Sequence, residues 1–172
     1  MAESDFERVF AVLAGAEVRY FVVGGVAVVL HGYLRFTADV DLVVALDRDN
    51  VLAALRALAS LDYRPRAAVN MEDFGDAALR EEWVTEKGLM VFSLWSPLMP
   101  ATEIDLFVRE PVPFEEAWSR VVHADLGGVD VPVASLSDLI ALKRNAGRPK
   151  DLLDAEELEK IAQRSRSDDG QG

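Results

Sequence analysis

The sequence contains no cysteine and only two histidines, and it is short of cations, with 18 lysines and arginines against 30 aspartates and glutamates. Without cysteine there is no disulfide, no thiolate metal site and no cysteine nucleophile, a composition that suits a reducing cytosol. Two histidines exclude a cage of several imidazoles around a metal. A net charge of −12 excludes a broadly basic surface for coating nucleic acid, so any such contact needs a local basic patch. Long apolar runs are missing too. The longest, Tyr20 to Leu30, is interrupted by glycines and is too short to span a bilayer. The first residues are acidic and have no apolar signal core. The expectation is a cytoplasmic protein with no membrane partner.

What remains is 172 residues, 51% of them hydrophobic, enough for one domain with a real core. Ser4 and Glu7 have the spacing of a capping box ahead of Phe6, Val9, Phe10 and Leu13, and Gly15 is a plausible stop. Arg19 to Val23 reads as a strand, and Gly24-Gly25 opens a short buried helix that ends near Gly32. Asp39 to Val44 reads as a strand. Asp47 or Asp49 caps a helix with Val51, Leu52, Leu55 and Leu58 on one face. Tyr63 to Val69 is a strand weakened by Pro65, Glu72 to Glu86 is partly helical, and Leu89 to Trp95 is a strand. Thr102 to Val108 alternates, with Ile104 and Leu106 on one face and Glu103, Asp105 and Phe107 on the other. A helix is expected over Pro113 to Val122, then a hairpin about Gly127-Gly128. Ser135 or Ser137 starts a helix that Gly147-Arg148-Pro149 breaks, and a last helix runs to about Gln163. Intermixed strands and helices predict an α/β (α+β) fold: a core over 1–134, a helical pair over 135–164 and a disordered tail over 165–172.

The sharpest feature is Asp39-Val40-Asp41 at the start of an apolar strand. Alternation puts both acids on one face. At roughly 4 Å and an effective dielectric near 20 they repel by about 4 kcal/mol. A metal ion, a shared proton or basic neighbours must offset this. Glu103-Ile104-Asp105 is a second same-face acidic pair. Should the two strands be neighbours, the carboxylates converge into a set of hard oxygen ligands suited to Mg²⁺, which can hold a nucleoside triphosphate. The competing reading is a strand-edge cap at Asp39, a solvated Asp41 and a water-facing edge strand at Glu103 to Asp105. Gly24-Gly25 adds a turn whose backbone N–H groups can approach an anion. Taken alone it is simply a tight strand-to-helix turn.

The run Gly24-Gly25, Arg35, Thr37, Asp39-Val40-Asp41 resembles the signature of the nucleotidyltransferase fold related to DNA polymerase β. With Val23 to Ala27, His31-Gly32, Leu139 to Lys143 and Gly147 to Asp151, the chain is similar more narrowly to AbiEii-like bacterial nucleotidyltransferases, many of them toxins of toxin–antitoxin systems. The signature commonly has Gly-Ser where this chain has Gly24-Gly25, so a hydroxyl is missing there. The resemblance implies a mixed sheet flanked by helices and a metal-dependent transfer of a nucleoside monophosphate (NMP) from a nucleoside triphosphate (NTP) to an acceptor hydroxyl. It implies Asp39, Asp41 and Asp105 as catalytic and metal-ligating residues for Mg²⁺ (or Mn²⁺), with Glu103 competing for the third place. It implies Gly24, Gly25, Arg35, Thr37 and Lys143 as nucleotide-binding residues.

Lys143, Arg144, Arg148 and Lys150 form a basic cluster that either binds an RNA backbone or balances charge at a helix end. Arg35 either clamps phosphate or pairs with Asp39. Asp151 either caps the last helix or orients Lys143, capping being the preferred reading. The acceptors in view are an RNA end such as tRNA, with a cognate antitoxin as protein partner, a small aminoglycoside-like cation, or a protein hydroxyl. A non-catalytic module that binds a nucleotide or a partner is the rival of a different class. His31 is expected to hydrogen-bond locally, and Trp83, Trp95 and Trp118 to be core or interface aromatics.

Overall fold

A computed structural model describes residues 3–170. Helix α1 (Asp5–Gly15) begins with the expected capping box. The Ser4 side chain accepts from the Glu7 N–H, and the Glu7 carboxylate accepts from the Ser4 N–H. Val9, Phe10 and Leu13 are its buried stripe. Strand β1 (Tyr20–Val23) follows, buried throughout. Helix α2 (Gly24–Leu30), strand β2 (Val40–Val44) and helix α3 (Arg48–Ala59) come next, α3 capped by the Asp47 side chain on the Asn50 N–H.

The strand expected over Tyr63 to Val69 contracts to β3 (Arg64–Pro65). Pro65 has no N–H to continue a ladder, and β3 is an edge strand where that lack is tolerated. A 3-10 turn (Met71–Gly75) and helix α4 (Ala77–Lys87) resolve the charged segment, separated at Asp76, whose carboxylate caps α4. Then come β4 (Val91–Trp95), β5 (Ile104–Phe107) and helix α5 (Phe114–Trp118). Helix α5 stops short of the expected Val122, because Val122 already belongs to the hairpin of β6 (Val122–Leu126) and β7 (Val129–Val133), joined at Gly127-Gly128.

Helix α6 (Leu136–Ala146) is capped by Ser135 and ended by Gly147 in the left-handed region. Helix α7 (Pro149–Asp169) has proline in its first turn and continues through the segment expected to be a disordered tail. Its last turns are exposed and tied by their own backbone, with Ser165 and Ser167 hydroxyls donating to carbonyls four residues back. Residues 171 and 172 of that expected tail lie outside the described residues.

The sheet is mixed and seven-stranded, in the order β3-β4-β5-β2-β1-β7-β6. Strands β2 and β5 are parallel central neighbours, as are β1 and β7, while β1 and β2 are antiparallel. Phe21, Val22, Leu42, Val43, Ile104 and Leu106 fill the centre of the core. Trp83 stacks on Phe92 in that core with centroids 5.4 Å apart, as expected of a core aromatic. Buried Leu42 alternates with the more open Asp41, and buried Leu106 with Asp105, so β2 and β5 carry their acids on one side of the sheet.

Candidate active site

The site forms where β1 ends and β2 and β5 begin. Val23 pairs with Asp41, Asp41 with Asp105, and Asp105 with Ser93, so one row across four strands runs from the glycine turn to the Ser93 hydroxyl. The two acidic strands predicted from alternation are thus direct neighbours. Ser93 Oγ donates to Asp105 Oδ1 at 2.5 Å. Asp39 lies just before β2 and is exposed.

Two of these carboxylates, Asp41 and Asp105, have raised pKa values. Burial first, then the charges of Asp105 and Asp39, pushes Asp41 up to about 7, while Lys143 and Arg148 pull the other way. Burial also pushes Asp105 up. The Ser93 hydrogen bond opposes this, and Asp39 and Glu103 add to it. Glu103 is otherwise engaged. It is ion-paired with Arg66, whose guanidinium lies over Trp95 at 5.5 Å. Among the described residues, no three acidic, histidine or cysteine side chains close into a ready metal cage. Asp41 and Asp105 face each other, and Asp39 reaches them through its field and stands out in solvent.

The glycine turn abuts this acidic row. Gly24 has φ +66, a conformation that suits glycine, and a Cβ there would run into the Asp41 carboxylate. A Cβ on Gly25 would meet Thr37 Oγ1 and Arg35 Nη2 instead.

Below lies a second charged group, this one paired. Lys143, 6% exposed, donates to Asp154 at 2.8 Å and to Asp151 at 3.3 Å. Arg35 reaches the same Asp154 at 2.9 Å and does not pair with Asp39. Arg148 closes on Asp151 at 2.6 Å. Burial raises the Asp151 carboxyl, but Arg148 and Lys143 together hold it below its ordinary value. The preferred capping role of Asp151 is therefore overturned. It sits three residues inside α7 and orients Lys143 and Arg148, because two cations need a carboxylate there more than the helix end does. Arg144 is ion-paired with Glu159. His31 hydrogen-bonds through Nε2 to the Ala134 carbonyl at 2.7 Å, a partner distant in sequence rather than a local one.

Two residues of this site escape a reading of the sequence. Ser93 carries no pattern that marks it. Asp154 did leave a signal: Asp151, Asp154, Ala155 and Leu158 form the buried stripe of α7, and aspartates in a stripe of that spacing announce buried cations facing them.

The family model described as "Nucleotidyltransferase of unknown function (DUF6036)" matches residues 6–165. The chain belongs to this nucleotidyltransferase family. No curated protein matches the sequence. Among solved structures, the lincosamide antibiotic adenylyltransferase LnuA, in its lincomycin-bound crystal structure, is similar at TM-score 0.61 and 13% identity. That match covers 94% of this chain and 98% of LnuA. ANT(2'')-Ia in complex with adenylyl-2''-tobramycin is similar at TM-score 0.56 and 15% identity, covering 94% and 96%. At these identities the likeness speaks for the fold alone, and it is the mixed-sheet nucleotidyltransferase fold. The narrower AbiEii-like resemblance finds no support in these matches. In this nucleotidyltransferase no described helix is long and apolar enough to cross a membrane.

Proposed function

We propose that this nucleotidyltransferase moves an NMP from an NTP to a hydroxyl of a small, amine-bearing acceptor, with Asp39, Asp41 and Asp105 as its acidic centre. The observation that carries the reading is the row Val23–Asp41–Asp105–Ser93, which sets the glycine turn beside two carboxylates whose pKa values burial and neighbouring acids raise. Charges this costly to hold together imply a partner of opposite sign. The donor set is all carboxylate oxygen, which suits Mg²⁺ or Mn²⁺. A divalent cation bound there would neutralise triphosphate charge and acidify the acceptor hydroxyl.

The chain's own residues supply the rest. Asp105, with one oxygen fixed by Ser93, accepts the proton of the acceptor hydroxyl through the other, and its raised pKa suits that task. Glu103, held by Arg66, is the poorer candidate. The acceptor oxygen bonds to the α-phosphorus, the bond from that phosphorus to the bridging oxygen breaks, and pyrophosphate leaves with the electron pair. Gly24 and Gly25 let the turn close against Asp41 and Thr37, so that its backbone N–H groups can approach the triphosphate. Lys143 supplies positive charge from beneath the carboxylates. For it to touch the triphosphate directly, it must give up one of its two aspartates.

The acceptor class follows from charge. Of the four residues expected to hold an RNA backbone, Lys143, Arg144 and Arg148 are spent on Asp151, Asp154 and Glu159. A chain of net charge −12 with three of its four clustered cations paired attracts a small cation and repels a polyanion. That charge balance speaks against an RNA-directed toxin. The compounds named with the two similar structures, lincomycin and tobramycin, suit the same reading.

The test is transfer of label from α-³²P NTPs with Mg²⁺ to a panel of aminoglycosides and lincosamides, run beside total tRNA, with Asp41→Asn as control. Label on a small amine-bearing acceptor, lost in the variant, is the expected result. Label on tRNA alone overturns the acceptor class. No transfer and no pyrophosphate release with any NTP and acceptor favours the binding-module alternative.

A further inference from the structure

The sheet face that carries the acids continues onto β4, where it is half open to solvent. Val91, Ser93 and Trp95 on β4 and Asp105 and Phe107 on β5 are half-buried, while Phe92, Leu94, Ile104 and Leu106 between them turn into the core. Trp95, a residue expected in the core or at an interface, therefore stands on the face of Asp105, two residues beyond the Ser93 that donates to it. Glu103 immediately precedes β5, and its charge bears on Asp105. A cation already sits against this ring and this carboxylate. Arg66 donates its backbone N–H to the Ser93 carbonyl at 2.9 Å, its guanidinium lies over the Trp95 ring at 5.5 Å, and it is ion-paired with Glu103. The ring and the carboxylate thus show that they hold a cation jointly. They hold this one loosely. The Arg66 and Glu103 side chains are 53% and 35% exposed, and a pair so open contributes little to stability, whereas Lys143 is buried between two aspartates.

We propose that Trp95 and Glu103 form the subsite that reads an ammonium group of the acceptor, and that Arg66 keeps its place until the acceptor displaces it. The ammonium takes the position of the guanidinium, over the ring and against the carboxylate, and Arg66 turns out to solvent. One cation replaces another, so Glu103 is never left bare. A hydroxyl elsewhere on the same molecule is thereby carried along the sheet face toward Asp105. The inference rests on the amine-bearing acceptor proposed above and deepens it by naming the residues that recognise the amine.

The experiment is calorimetric titration of the full chain, loaded with Mg²⁺ and α,β-methylene ATP, with tobramycin and separately with lincomycin. Melting temperature and nucleotide affinity are recorded for every variant. Glu103→Gln and Trp95→Leu are each expected to weaken binding of the amine by about 10-fold. Arg66→Ala is expected to do the opposite and tighten it by up to about 5-fold, the size of an exposed ion pair. That gain is expected to vanish in Arg66→Ala/Glu103→Gln. Arg64→Ala removes the same charge from the nearby Arg64–Asp62 pair and is expected to change affinity by less than about 2-fold, which separates displacement from a general gain in negative charge. A merely structural role for the Arg66–Glu103–Trp95 group would make all three single variants bind less well. Unchanged or weaker binding in Arg66→Ala, or wild-type affinity in Glu103→Gln and Trp95→Leu, overturns the inference and leaves the amine-acceptor reading standing. Weaker nucleotide binding in Trp95→Leu with amine binding unchanged assigns the ring to the nucleotide base and overturns it as well. A wild-type chain that binds neither compound overturns both.

Discussion

Two charged groups lie side by side in this molecule and are managed in opposite ways. In one, Arg35, Lys143 and Arg148 meet Asp151 and Asp154, and each buried charge has a partner of the other sign within 3.3 Å. In the other, Asp41 and Asp105 face each other with the exposed Asp39 adding its charge, and only the Ser93 hydroxyl on Asp105 and the fields of Lys143 and Arg148 on Asp41 oppose the cost. The first has the form of a structural joint, tying α6, α7 and the segment before β2 together. The second is a set of like charges with no cation paired directly to Asp41 or Asp105 among the described residues. Removing a charge should therefore do opposite things in the two regions.

The largest effect belongs to the joint. Asp154→Ala leaves Lys143 and Arg35 buried without their shared carboxylate, and is expected to destabilise the fold by about 3–5 kcal/mol in urea unfolding. A loss below about 1 kcal/mol would mean the two cations find solvent, and the contrast between the regions would fail. Asp41→Asn should do the reverse. The native pKa of Asp41 is raised from 3.8 to about 7, so folding favours its protonated form. Its destabilising contribution is absent below about pH 4, grows as pH rises through the window from 4 to 7, and is full above it. In chelator-treated protein at pH 8 the variant is expected to be more stable than the wild type, on the order of 2 kcal/mol, with the difference vanishing at pH 4. Label transfer by the same variant should be lost.

A smaller effect sharpens the acidic side. Ser93→Ala removes the hydrogen bond that lowers the Asp105 pKa. The acidic limb of the pH–rate profile should move to higher pH, with stability changed by about 1 kcal/mol. The smallest change is expected at the rim of the joint. The Arg144–Glu159 pair is solvent-exposed, and Arg144→Ala should cost no more than about 0.5 kcal/mol. It should also leave transfer to small acceptors unchanged, whereas an RNA backbone held there would lose affinity and salt dependence.

The acidic group was legible in the sequence and the joint was not, and the physical reason is range. Asp39-Val40-Asp41 and Glu103-Ile104-Asp105 expose themselves through two-residue alternation, and the glycine pair marks a turn, so local rules bring out each part. That β2 and β5 are parallel neighbours is a matter of topology that no local rule supplies; the family resemblance implied only that Asp39, Asp41 and Asp105 act together. Lys143, by contrast, looked like a free cation on an amphipathic helix. Its neutralisation depends on Asp151 and Asp154, eight and eleven residues on in the next helix, and Asp154 is shared with Arg35, more than a hundred residues back. Asp151, placed near a helix start, offered both capping and orientation of Lys143, and only the packing of α7 on α6 decides for the second. The end of α7 was missed for another reason: an exposed polar helix has no apolar period to announce it.

The central claim is that the row from Gly24 through Asp41 to Asp105 seats a metal-bound triphosphate. Crystals grown with Mn²⁺ and α,β-methylene ATP test it most directly through the anomalous signal of manganese. The account predicts an anomalous peak between the carboxylates of Asp41 and Asp105, with the triphosphate lying along Gly24 and Gly25. A peak elsewhere, or a nucleotide bound away from the glycine turn, would contradict it.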